Sequence, residues 1–99
     1  MSSTLTISGF KASLGLPAPP AGLSPALVAL WHDARGDWDA AHKIAQDLGG
    51  KTGARVHAYL HRKEGDVGNA SYWYRLAGKV DENGTLIDEW TTIVEELLT

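Results

Sequence analysis

Hydrophobic positions recur at helical spacing along most of the chain after residue 24. Leu27, Leu30, Trp31 and Ala34 share one face over 25–35, and Trp38, Ala41, Ala45 and Leu48, with Ile44 beside them, share one over 38–48. Val56, Tyr59, Leu60 and the stem of Lys63 line up over about 54–64. Val67, Ala70, Trp73, Tyr74 and Ala77 do so over about 67–77. The last stripe, Leu86, Trp90, Ile93 and Leu97 over 85–98, is widened by Ile87, Val94 and Leu98 and backed by acids. Local signals punctuate these stretches. Ser24-Pro25 reads as an N-cap followed by proline in the first turn. Gly36, Gly49-Gly50, Gly65 and Gly78 read as helix ends, and Asp81 to Gly84 as a turn. Lys51 to Gly53 reads as a loop with Thr52 as the next cap.

The segment before residue 24 is weaker. Leu5 and Ile7 alternate faintly, which allows a short strand or a loose tail, and Phe10 to Leu16 allows one helical turn. Gly15 to Gly22, with three prolines, reads as an extended connector. The chain therefore divides into a tail and Pro-rich connector (1–23) and a helical domain (24–99). The predicted fold is all-α: two stacked helix-turn-helix hairpins, about 25–49 and 54–78, and a C-terminal capping helix, 85–98.

The hairpins resemble each other. His32, Gly36, Asp37 and Ala41 are matched by His61, Gly65, Asp66 and Ala70 at a constant offset of 29 residues. Gly65, Ala70, Tyr74 and Ala77, with Val67 in an aromatic position, follow the steps of a tetratricopeptide repeat; Gly36, Trp38, Ala41, Ala45 and Leu48 follow them less closely. The pattern over about 25–79 thus resembles a tetratricopeptide repeat of two degenerate units. Its period is shorter than the roughly 34 residues of that family, and the proline usual between repeats is missing. The segments HRKEGD and NASYWYRLAG also resemble a family of short uncharacterised bacterial proteins, a likeness that implies no biochemical activity. About three stacked units are needed for a stable solenoid. The C-terminal helix and the Phe10 to Leu16 segment are therefore expected to cover the ends, or else a homodimer buries the remaining surface.

Charge narrows the partners. The net charge is −3, but residues 51–79 carry +4 and residues 80–99 carry −6. The two segments attract either within one fold or head-to-tail between copies. A short basic stretch in an acidic chain argues against nucleic-acid binding. The absence of cysteine removes disulfides, thiolate catalysis and Cys-based zinc sites. No apolar run is long enough to cross a membrane, and the N-terminus lacks the pattern of a signal peptide, so a cytoplasmic location is expected.

Candidate chemistry concentrates in the second hairpin. His57, His61 and Glu64 fall at i, i+4 and i+7 on one helix face, a spacing that can hold zinc or a similar ion if His32, His42 or Asp33 adds a ligand. The competing reading has the histidines fill space and bond turn carbonyls. Asp37 and Asp66 read as N-caps. Glu64 precedes a helix end, where the dipole disfavours a carboxylate. It therefore pairs with a nearby cation or serves function. Tyr72, Trp73 and Tyr74 cannot all face one core, and aromatic residues with arginine favour interfaces. The first expectation is a non-enzymatic protein- or peptide-binding module without a cofactor, whose candidate contacts are Arg55, His57, Tyr59, His61, Arg62, Glu64, Asn69, Tyr72 and Arg75. The alternatives are a small metal-binding protein or enzyme built on His57, His61 and Glu64, and a homo-oligomerisation domain.

Overall fold

The computed structural model describes residues 5–98. Residues 1–4 of the expected tail, and Thr99, lie outside them. The described residues form six helices and no strand: α1 (Ile7–Ser13), α2 (Pro25–Ala34), α3 (Trp38–Gln46), α4 (Gly50–Lys63), α5 (Val67–Leu76) and α6 (Leu86–Leu98). The fold is all-α, and the pairs α2/α3 and α4/α5 pack most extensively, as two hairpins.

The duplicated turn has a physical cause. Gly36 and Gly65 both adopt left-handed φ, +85° and +90°, and the next amide reaches back five residues. Asp37 N donates to His32 O and Asp66 N to His61 O, both at 2.9 Å. Each aspartate then caps the following helix: Asp37 accepts from Ala40 N at 3.1 Å and Asp66 from Asn69 N at 3.2 Å. Ser24 caps α2 in the same way, with Pro25 in its first turn.

Two expectations need correction. The α4 helix begins at Gly50, so Lys51 to Gly53 is helical and Thr52 is not a cap; Gly49 holds that position without a side-chain bond. Packing overrides the low helix propensity of glycine there. A Cβ on Gly53 would lie 2.5 Å from the Leu48 carbonyl oxygen, so only glycine lets α4 pass that backbone. Second, Asp33 rather than Ala34 is the buried residue at the end of α2, and Val67 on α5 is exposed. The helical turn expected around Phe10 to Leu16 is present as a docked helix, which starts earlier, at Ile7. Phe10 is fully buried, 5.7 Å ring to ring from Trp90. The Ser13 hydroxyl accepts from the Trp31 indole N–H at 3.1 Å. The Arg35 guanidinium donates to the Leu14 and Leu16 carbonyls while lying over the Trp31 ring.

The C-terminal helix lies against α1, α2 and α4. It thus covers the first helices of both hairpins instead of closing the end of the second. Its stripe buries Trp90, Ile93 and Val94, and the Trp90 indole donates to Leu30 O at 3.0 Å. The acids do not all face water. Glu89 is buried on the inner side, where it accepts from Arg62 at 2.8 Å and from the Tyr74 hydroxyl at 2.5 Å. Arg55 pairs with Glu96. The basic middle and the acidic end therefore meet within one chain. A parallel network joins α2 to α4: buried Asp33 accepts from the Tyr59 hydroxyl at 2.8 Å and from Lys63 at 2.9 Å. Burial first, and Asp33 second, push the Tyr59 phenol far above its ordinary range; burial and Glu89 do the same to Tyr74.

Candidate functional site

The helix pairing brings one face of α3 onto α4. His57 and His61 stand one turn apart on α4, and His42 projects from α3. One ring nitrogen from each lies within 4.8 Å of the other two. The rings of His42 and His57 are 5.2 Å apart and perpendicular, those of His42 and His61 are 5.1 Å apart, and His57 and His61 are nearly parallel. Two tryptophans hold this cluster. Trp38, at the start of α3, stacks on His42 at 4.7 Å and donates its indole N–H to Leu60 O at 2.8 Å. Trp73, from α5, stacks on His57 at 4.0 Å. One face of His42 and one face of His57 are thus covered by an indole, while Trp38 meets His61 edge-on.

Burial is uneven across the three. His57 and His61 are buried, while His42 is half-buried on the solvent side. Burial is the main cause that lowers the His57 imidazole to about 4, reinforced by His42 and His61 and opposed by the Ala45 carbonyl. His42 is lowered too, by burial and by His61, with Glu64 and Asp39 opposing. These two rings are therefore neutral at pH 7 and carry free lone pairs. The fourth polar partner is Glu64, whose Oε1 lies 2.6 Å from His61 Nδ1. The tautomer that donates from Nδ1 leaves the His61 lone pair on Nε2. His57 Nδ1 is buried and has no hydrogen-bond partner, an uncommon state for a buried polar atom.

A pH dependence follows. A histidine held below its ordinary value stays neutral when folded, while the unfolded chain takes up the proton. Stability is full above about pH 6.5, where a free imidazole titrates, and falls as pH drops toward about 4. For His57, discounted for partial hydration, the loss is on the order of 2 kcal/mol. Urea denaturation of metal-free protein at pH 7 and pH 5 reads it; equal midpoints would contradict the buried neutral ring.

The structure divides the sequence candidates. His57 and His61 join the cluster, with His42 as the third ring and Glu64 behind His61. His32 does not join; it packs edge-on against Trp31. Asp33 serves Tyr59 and Lys63. Arg55, Tyr59 and Arg62 face α2 or α6 in internal pairs, with Tyr59 buried. The side of α4 that carries Arg55 and Arg62 is covered by α6. Asn69, Tyr72 and Arg75 are exposed on α5. A second group, His61, Glu64 and Asp66, has its carboxylates engaged by His61 and by the α5 cap. Sequence reasoning missed the tryptophan walls. The signal was Trp38 at i−4 from His42, one turn away on the same face.

No family model, curated protein or solved structure matches the chain.

Proposed function

We propose that this is a metal-binding protein whose ion, of the zinc, copper or nickel class, is held by His42, His57 and His61. The observation that carries the reading is that one ring nitrogen from each of three histidines, on two hairpins, lies within 4.8 Å of the other two; His57 Nδ1 is in addition buried without a hydrogen-bond partner. Space-filling accounts for the stacked rings but leaves that nitrogen unsatisfied. Imidazole donors favour these borderline ions over calcium or magnesium, which take oxygen ligands. Glu64 supplies the carboxylate that commonly orients a ligating histidine from its far nitrogen. Two ligands on α4 and one on α3 make the ion a cross-link between the hairpins.

Zinc titration against a chromophoric chelator tests this. One ion per chain is expected, with a Kd of about 1 μM or tighter. His42→Ala should weaken binding at least about 100-fold, and Glu64→Gln by about 10-fold to 100-fold. Unchanged affinity in His42→Ala would remove the proposal.

A second reading keeps partner binding as self-association, moved to the outer face of α5. Tyr72 and Leu76, one turn apart, are each about half exposed there, and α5 packs mainly on α4. Sedimentation at high concentration should then show a dimer that Tyr72→Lys dissociates; a monomer throughout would end this reading.

A further inference from the structure

We infer that the ion at this centre keeps one coordination position for solvent, so that the site is a water-activating Lewis acid acting on small carbonyl electrophiles; the inference rests on the metal-binding reading above. Three observations carry it. First, among the described residues the converging group contains three donors, whereas zinc takes four ligands, and three protein ligands plus water is the pattern of catalytic rather than closed structural centres. Second, no carboxylate joins the converging donors among the described residues: Asp39, which acts on His42 by its charge, is not one of them. Glu64 bonds His61 Nδ1, Asp66 caps α5, and Asp33 is held by Tyr59 and Lys63. Third, the site has a wet side. His57 and His61 are buried, but His42 is only half-buried, so the cluster has one side that is partly open to solvent.

The chemistry is that of a metal-bound water. The ion lowers its pKa to about 7, which yields hydroxide at neutral pH with the proton released to solvent. That hydroxide attacks the carbonyl carbon of an ester. The carbon–oxygen bond to the leaving group then breaks, the leaving oxygen takes a proton from solvent, and a carboxylic acid and an alcohol are released. A fresh water refills the position. Glu64 is a positioning residue in this scheme, since it acts through His61.

Two probes test the open position on the full chain. Cobalt(II) in place of zinc reports coordination by its visible spectrum. Azide is expected to shift that spectrum, because it replaces the exchangeable water. Zinc-loaded protein is expected to hydrolyse p-nitrophenyl acetate at least about ten times faster than His42→Ala at the same zinc concentration, with the rate lost on chelation and restored by zinc. If cobalt binds one per chain but azide leaves the spectrum unmoved, or if hydrolysis equals that of His42→Ala, the open centre is overturned while metal binding stands. If neither metal binds stoichiometrically, both readings fall. The azide arm needs no variant, so a misfolded His42→Ala does not blunt the test.

Discussion

Saturating zinc is expected to raise the stability of this protein more than any single substitution would. Binding to the folded state alone adds about 4 kcal/mol at a thousandfold excess over Kd. For a chain of this length that corresponds to a rise of roughly 15 °C or more in Tm. The reason is geometric. The unfolded chain separates His42 from His57 by 15 positions and offers no preformed triad, so nearly all the binding free energy appears as folding free energy. The shift should fall steeply between pH 7 and pH 5, because protons compete for the imidazoles. His42→Ala should abolish it while costing little in metal-free protein, since His42 is half-buried. Differential scanning calorimetry with zinc and with chelator measures the effect. A Tm that zinc leaves within a degree or two would mean that the rings pack without holding an ion.

Glu89→Ala is expected to cost about 3 kcal/mol, a large part of the 5–15 kcal/mol typical of a domain. Glu89 is the buried node that joins α6 to Arg62 on α4 and to Tyr74 on α5. Its removal leaves the Tyr74 hydroxyl buried without this acceptor and leaves Arg62 the Gly84 carbonyl and the charge of Glu82. Glu89→Gln keeps an acceptor for Tyr74 and loses the ion pair, so about 1–2 kcal/mol is expected; Tyr74→Phe should cost about 1 kcal/mol. Urea denaturation ranks the three. If Glu89→Ala falls within about 0.5 kcal/mol of the parent chain, the carboxylate is solvated and α6 docks by its apolar stripe alone.

The parts of the fold that were legible in the sequence are those fixed by neighbours in the chain. Ser24, Asp37 and Asp66 cap as their types and positions indicate, and Gly36 and Gly65 turn as only glycine readily does. The start of α4 was not legible, because Gly49, Gly50 and Gly53 carry a loop-like signal, while the reason for Gly53 lies in its contact with Leu48. The seat of α6 was legible only in part. Its stripe says that the helix docks, but a stripe carries no address, and α2 and α4 present the surface it takes. Glu89 sits at i+3 from Leu86 and i−4 from Ile93, on the buried lattice. Its position was therefore readable, but its charge pointed the other way until Arg62 and Tyr74 were seen to satisfy it.

The candidate site divides in the same way. The i, i+4 pair His57 and His61, with Glu64 behind, is a property of one helix and can be read from spacing. His42 is a different matter, since among His32, His42 and Asp33 spacing could not choose the third member of the cluster. The choice is made by the α3–α4 packing, which clamps His42 under Trp38 and leaves His32 against Trp31. The repeat offset pairs His32 with His61, so internal symmetry alone would have favoured the wrong ring.

X-ray absorption at the zinc edge tests most directly whether three histidines from two hairpins share one ion. The account predicts about three imidazole nitrogens at about 2.0–2.1 Å plus one light atom, and the loss of one imidazole in His42→Ala. A shell of oxygen donors, or a shell that His42→Ala leaves unchanged, would contradict it.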